Sequence, residues 1–377
     1  MIPNKRFEAL DSFRGLCAMS VVIFHVNIVG SLTELAFFRE SHLLVDFFFV
    51  LSGFVLTHGY GFKRDVRFRD FFISRTFRIF PLHIAMLGVF ILLEVGKWLA
   101  YQKGFVFNSL PFTGVTAPQE ILPNLMLVQS WTPLTSPLSY NFPAWSISVE
   151  YYIYMIFFAL TLLRGRGKVV AWALVAGVAL YLLLHGHPYL TEKSLHGLAC
   201  FFGGALTYVL YRQVSDKIAL GFTLGSLVEV VVLVTTITVV ALPLPDKTLL
   251  AILLFCLCVF TFALELGAVS QLMKRRFFLR LGVLSYSIYM THAALLFCLI
   301  SLLIVVQKVT GWQIAPMVGE HRYLDFGNPF INDLLLLAIL AGVAAVASVT
   351  NNYIEKRWQQ IGRTLQQGIT LRRAEKQ

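Results

Sequence analysis

LRLGVLSYSIYMTHAALLFCLISLLIVV, residues 279–306, decides the architecture of this chain. A bilayer crossing needs about 20 apolar residues, and this run exceeds that with Arg280 at its edge as the lone acid or base. Its first half is not plain lipid-facing helix. Tyr289 and His292 stand at i, i+3 and Ser285 and His292 at i, i+7, so all three share one face. Polar groups at membrane depth face a partner helix or a cavity. The run therefore reads as a spanning helix with a working face, and Tyr289 and His292 are candidate substrate-binding residues.

Outward from it, nine more apolar segments are long enough to cross, or nearly cross, a bilayer. They lie near 12–30, 43–60, 77–99, 145–163, 169–184, 198–211, 218–242, 248–266 and 331–353. The chain is 57% hydrophobic and 14% charged, against about 25% charged in a soluble domain, and its mean hydropathy is +0.73. The expected fold is all-α: one polytopic membrane domain over residues 1–377 with about ten transmembrane helices. The basic tail 354–377 reads as an interfacial helix.

The net charge of +11 is explained by topology, without nucleic acid. Arg39, Lys97, Lys103, Lys193, Lys247, Lys308 and Arg322 fall in one set of alternate connections; the remaining 24 of the 31 Lys and Arg fall in the other. That asymmetry predicts both termini in the cytoplasm. The connections 100–144 and 307–330 then lie outside and would cap the outer mouth of a site. Cys17, Cys200, Cys256, Cys258 and Cys298 all sit in apolar stretches without metal-ligand spacing, and read as small core hydrophobes. No metal site and no cleavable signal pattern are expected.

The ionisable groups inside the spans are the candidates for chemistry. Arg14 and His25 are eleven residues apart, which returns them to one helix face within about 20° and separates them by about 16 Å in depth. That places Arg14 at the cytoplasmic mouth and His25 about two-thirds across. Glu150 lies at matching depth in its own span, so a carboxylate–imidazole pair with His25 is expected. Asp46 and Ser52 lie in the second span; Asp46 also suits a first-turn acid. Arg75 and Arg78, with Lys274, Arg275 and Arg276, predict a cytoplasmic basic cluster suited to phosphates, or to lipid headgroups. The chain has no Walker A loop, GxGxxG, GxSxG or HExxH motif, which weakens ATPase, dehydrogenase, serine-hydrolase and zincin readings.

Together these segments resemble the acyltransferase-3 family of polytopic bacterial membrane proteins. FEALDSFRGLCAMSVVIFH (7–25) resembles its R-x10-H signature, with Arg14 and His25. VDFFFVLSGFVL (45–56), RTFRIFP (75–81), WSISVEYYIY (145–154), LGVLSYSIYMTH (281–292) and YIEKRW (353–358) resemble its further motifs in order. Ile153 replaces the usual Phe, His83 follows Pro81 where an aromatic is common, and Lys356-Arg357 stands where Arg-Pro is common; Arg14, His25 and Glu150 are retained. The hydrolase-like outer domain fused to some relatives is not expected.

The resemblance implies a multi-pass enzyme of the bacterial inner membrane. It would move an acyl group, with acetyl-CoA as co-substrate, onto a hydroxyl of an extracytoplasmic or lipid-linked glycan such as O-antigen, capsule, exopolysaccharide or peptidoglycan. Succinyl transfer, and a lipid-linked sugar flippase or transporter, are the alternatives. The mirrored Gly/Pro-broken halves expected of a transporter are not evident. His25 would be general base or nucleophile, with Glu150 and Arg14 beside it. Arg14 and the basic cluster would hold the donor, and Asp46, Ser52, Tyr289 and His292 the acceptor.

Overall fold

Each apolar segment becomes a helix, because backbone groups in hydrocarbon can be satisfied within one segment only by helical bonding. The computed structural model describes residues 5–374 apart from 64–65, 105–108, 187, 246 and 320, and of residues 318, 321 and 368–374 the backbone alone. Arg64, His187 and Lys376, and the side chains of Arg372 and Arg373, lie outside that description. The long helices are α1 Glu8–Phe24, α2 Leu44–Leu56 with a π-turn Thr57–Gly61, α3 Phe68–Gln102, α4 Ala144–Thr161 and α5 Gly167–His185. They continue with α6 Glu192–Val214, α7 Phe222–Ala241, α8 Thr248–Leu264, α9 Arg276–Thr310, α10 Pro329–Thr350 with a π-turn Asn351–Glu355, and α11 Lys356–Ala374. The fold is all-α; a two-residue antiparallel pair, Met317–Val318 with His321–Arg322, decorates one loop.

All ten expected segments are helical. Among the described residues, eight helices are long and apolar enough to cross a bilayer. Helix α8, apolar but 17 residues long, falls just short in length, and α1, also 17 residues, carries Glu8, Asp11 and Arg14 in its first half. Several boundaries move, α3 beginning at Phe68 rather than near residue 77, and two of the shifts have a visible cause. Helix α6 starts at Glu192 rather than near residue 198, because Thr191 Oγ1 accepts the Ser194 N–H and caps it. Its polar first turn is masked in hydropathy but packed, with Lys193 lying 4.3 Å from the Trp145 ring. Helix α1 stops at Phe24, six residues earlier than expected. The chain beyond it pairs with a distant loop, Val29 N–H to Leu324 O at 3.0 Å and Leu324 N–H to Asn27 O at 2.9 Å. His25 is therefore the C-cap of α1, at the end of the helix and not two-thirds across a longer span.

The core is built by close helix pairs. Helix α1 packs along α9 and α2 along α6, each through facing glycines. A Cβ on Gly15 would lie 2.5 Å from Gly282 N, and one on Gly282 would lie 2.2 Å from Asp11 O. A Cβ on Gly53 would lie 1.8 Å from Phe201 O, and one on Gly204 would lie 1.9 Å from Val50 O. Small residues allow such backbone contact, on which helix association in lipid depends. Gly204→Leu is expected to abolish the monodisperse, folded protein in detergent chromatography. A normal elution profile would show that α2 and α6 tolerate separation. Helix α5 buries only Trp172 and Ala179 of its own residues and forms an outer, lipid-suited wall.

The five cysteines are all free. Both long connections, 100–144 and 307–330, fold back onto the segment around His25. Phe142, from the loop before α4, lies with its ring 4.4 Å from that of His25. Arg39 donates to Asn27 Oδ1 at 2.6 Å and sits over Tyr323, fastening the loop before α10 onto the segment after His25.

Candidate active site

A cavity of about 280 Å³ runs between α1, α2, α3, α4 and α9, lined by Arg14, Ser52, Arg75, Arg78, Glu150, Tyr154 and Tyr289 among others. Each polar side chain is brought there by an apolar helix that hides its opposite face. Arg14 Nε donates to Ser285 Oγ at 2.8 Å and Nη2 to Gly282 O at 3.1 Å, with Asp11 at 3.9 Å. Ser52 Oγ and Tyr154 OH both donate to Glu150 Oε1. Arg75 is enclosed by the rings of Tyr60, Phe71 and Tyr154 at 5.5, 5.8 and 5.8 Å; its Nε is buried without a hydrogen-bond partner. Arg78 lies within electrostatic reach of Glu150 and Glu355.

At one end the cavity reaches Tyr289, whose hydroxyl accepts from Ser146 Oγ at 2.9 Å. One turn along α9 comes a histidine pair. The His25 and His292 rings lie 5.3 Å apart, tilted by 26°. His292 Nδ1 bonds the Tyr289 carbonyl at 2.8 Å. A carbonyl only accepts, so Nδ1 carries the proton and Nε2 is a bare lone pair. That Nε2 is buried without a partner. Arg14 and His25 thus meet the same neighbour, α9, through Ser285 and His292, as their shared helix faces require.

The expected His25–Glu150 pair does not form. Matching depth holds two residues at one level but says nothing of azimuth, and Glu150 turns to Ser52 and Tyr154 on its own side. The expected basic cluster is also divided. Lys274 is bonded to Glu265 at 2.8 Å, Arg275 and Arg276 are exposed, and none of the three lines the cavity. Asp46 is buried against α6, 3.1 Å from His196 Nδ1, and does not line the cavity either. Ser52 and Tyr289 do line it; His292 lies just beyond.

Residues that sequence reading passed over now have partners. His58 lines the cavity and bonds Tyr208 at 3.0 Å. Glu355 accepts from Ser287 Oγ of α9. His83 bonds the Asn124 carbonyl at 2.8 Å, Glu94 pairs with Lys97 at 3.3 Å, and Glu229 accepts from the Gly267 N–H at 2.8 Å. The signal available for Glu355 was its place in YIEKRW; the others carried none. If Asp46 and His196 serve each other, Asp46→Asn and His196→Gln should each lower the melting temperature, and the double variant should fall short of their sum. Such coupling is typically about 0.5–3 kcal/mol; strict additivity in a thermal-shift cycle would argue against the pair.

Among the described residues, no group of three or more His, Cys, Asp or Glu side chains is placed to hold a metal ion.

Comparison with known proteins identifies the family. Residues 7–354 match the family described as "Acyltransferase domain". The chain is 39% identical over 93 residues to Protein 2 in picA locus of Rhizobium radiobacter, covering 23% of this chain and 45% of that protein. It is 28% identical over 143 residues to Acyltransferase MdmB of Streptomyces mycarofaciens, covering 37% of this chain and 30% of that one. It is 28% identical over 114 residues to the Putative peptidoglycan O-acetyltransferase YrhL of Bacillus subtilis (strain 168), covering 28% and 17%. The aligned stretches thus span less than half the length of each of these relatives. No solved structure matches. Because the family match runs through nearly the whole chain, all five cavity helices included, the chain belongs to the acyltransferase-3 family of polytopic, helical membrane proteins.

Proposed function

We propose that this protein transfers an acyl group, acetyl from acetyl-CoA, to a hydroxyl of an extracytoplasmic or lipid-linked carbohydrate. The observation that carries the reading is the course of the cavity. It runs from a basic, aromatic end at Tyr60, Arg75 and Arg78 to Tyr289, one turn from the His25–His292 pair. An anionic donor and a neutral hydroxyl acceptor need opposite surroundings, and the two ends differ in that way. In this reading the positive-inside asymmetry supports a basic end that faces the cytoplasm, in a bacterial inner membrane.

In this reading Arg14, Arg75 and Arg78 hold the donor, and Glu150 balances their charge. The acceptor hydroxyl comes to the capped end, where Tyr289 and the buried His292 Nε2 offer polar contacts. His25 then either takes the hydroxyl proton as the oxygen attacks the thioester carbon, or attacks that carbon itself to give an acyl-imidazole. In both routes the C–S bond breaks and the thiolate recovers a proton. His292, whose ring stacks 5.3 Å from that of His25, takes the place beside His25 that depth matching gave to Glu150.

The test uses membranes containing the protein and acetyl-CoA labelled on the acetyl group, followed into base-labile esters on envelope carbohydrate. Label above a protein-free control is the expected result. Silence with acetyl-CoA and succinyl-CoA alike, together with a fall in total exported glycan on gene deletion, would replace acyl transfer with transport. His292→Ala should lower turnover about 10²-fold and displace the pH–rate profile, whereas a purely structural role for His292 would leave the profile in place.

A further inference from the structure

The active-site cavity adjoins a second, larger one. Tyr60 lines both, and beyond it about 700 Å³ opens between the α2 π-turn, α4, the α4–α5 connection and α6. Four cations line this space, Lys63, Arg164, Lys168 and Arg212, and among the described residues no carboxylate lines it. Among the described residues none of the four is in a salt bridge. Arg212 and Lys168 instead sit over the Phe62 ring at 4.4 and 5.4 Å, and Lys168 also donates to Gly61 O at 3.0 Å. Like charges gathered in one concavity repel one another, and a polyanion relieves that repulsion. Arg and Lys at one site suit phosphate oxygens, and Phe62 and Tyr60 add aromatic surface.

We infer that this cavity binds the phosphate-bearing end of the acyl donor, a phosphorylated nucleoside, with Lys63, Arg164, Lys168 and Arg212 as its phosphate ligands. The inference rests on the acyl-CoA reading above and assigns it a second chamber. The donor's acyl arm would pass Tyr60, whose ring also lies beside Arg75, into the active-site cavity. Its phosphates would stay behind in the basic chamber. This takes over the phosphate-binding part that sequence reading had given to Arg75, Arg78, Lys274, Arg275 and Arg276. An anionic lipid headgroup offers the same chemistry, and the experiment separates the two.

Purified full-length protein in neutral detergent is titrated with 3′,5′-ADP, which carries the nucleotide end and no thioester. Wild type should bind it, CoA should compete, and binding should weaken with salt. Lys168→Ala/Arg212→Ala should weaken binding at least tenfold, while the charge-keeping Lys168→Arg/Arg212→Lys restores it and controls for folding. With labelled acetyl-CoA, the alanine variant should raise KM at least tenfold with kcat little changed. S-acetylpantetheine, which lacks the nucleotide, should not distinguish variant from wild type. Failure of wild type to bind 3′,5′-ADP overturns the inference, as does equal binding by the alanine variant. So does a protein whose basic chamber binds only phosphatidylglycerol vesicles and not the nucleotide. Nucleotide binding that is lost in the variant, in a protein that transfers no acetyl group, would keep this site and refute the acetyl-transfer reading instead.

Discussion

His25→Ala is expected to abolish acyl transfer, with turnover falling by about 10²–10⁴-fold or more, while the protein remains in the membrane at normal level. The imidazole caps α1 at its C-terminus, between the Phe142 ring at 4.4 Å and the His292 ring at 5.3 Å. Neither contact ties the helix bundle together, so its loss should be chemical more than structural. The same variant separates the two routes. If His25 is nucleophile, wild type incubated briefly with labelled acetyl-CoA alone should carry label that His25→Ala lacks. If it is general base, neither carries label without acceptor, and initial rates follow ternary-complex kinetics. Full activity in a well-expressed His25→Ala protein would move catalysis away from α1 altogether.

Glu150→Gln should lower kcat/KM about 10²-fold, and chiefly through the donor. Glu150 Oε1 accepts from Ser52 and Tyr154, and an amide oxygen can still accept both. The lost charge is what matters. Arg14 and Arg78 act on one another, and Glu150 is among the anions that offset them. Removing one charge of a buried set leaves the others uncompensated, which is strongly unfavourable. The distinguishing readout is the pH–rate profile. Were Glu150 the partner of His25, as depth matching predicts, its neutralisation would displace that profile. The structure instead stacks the His292 ring beside His25 and turns Glu150 to Ser52 and Tyr154, so the Glu150→Gln profile should keep its midpoint while its amplitude drops. Normal kinetics would reduce Glu150 to a packing role. A displaced midpoint would return it to His25.

The two corrections to the site share a cause. Helix arithmetic reads rise and rotation within one span, and within one span it worked: Arg14 and His25 do meet the same helix, α9, through Ser285 and His292. Between spans it gives only depth. Which carboxylate turns toward which imidazole depends on how neighbouring helices are rotated, and that is set by contacts such as Gly15 on Gly282 and Gly53 on Phe201. Charge counting has the same limit. It sorts Lys and Arg by side of the membrane but cannot say that Lys274 is taken by Glu265 while Lys168 and Arg212 share Phe62.

The sequence by itself determined that the chain is helical and polytopic, where its ten apolar segments lie, and which family it resembles. Those properties follow from local hydropathy, because hydrocarbon forces each span to satisfy its own backbone. It also singled out Arg14, His25, Glu150 and the polar face of α9, since ionisable groups are costly at membrane depth and stand out. Only the tertiary structure decided that His25 faces His292, that Asp46 belongs to His196, that α1 ends at His25, and that a second basic chamber opens beyond Tyr60. Each of these is a contact between residues far apart in sequence, fixed by helix rotation and loop pairing, and no periodicity along the chain encodes it.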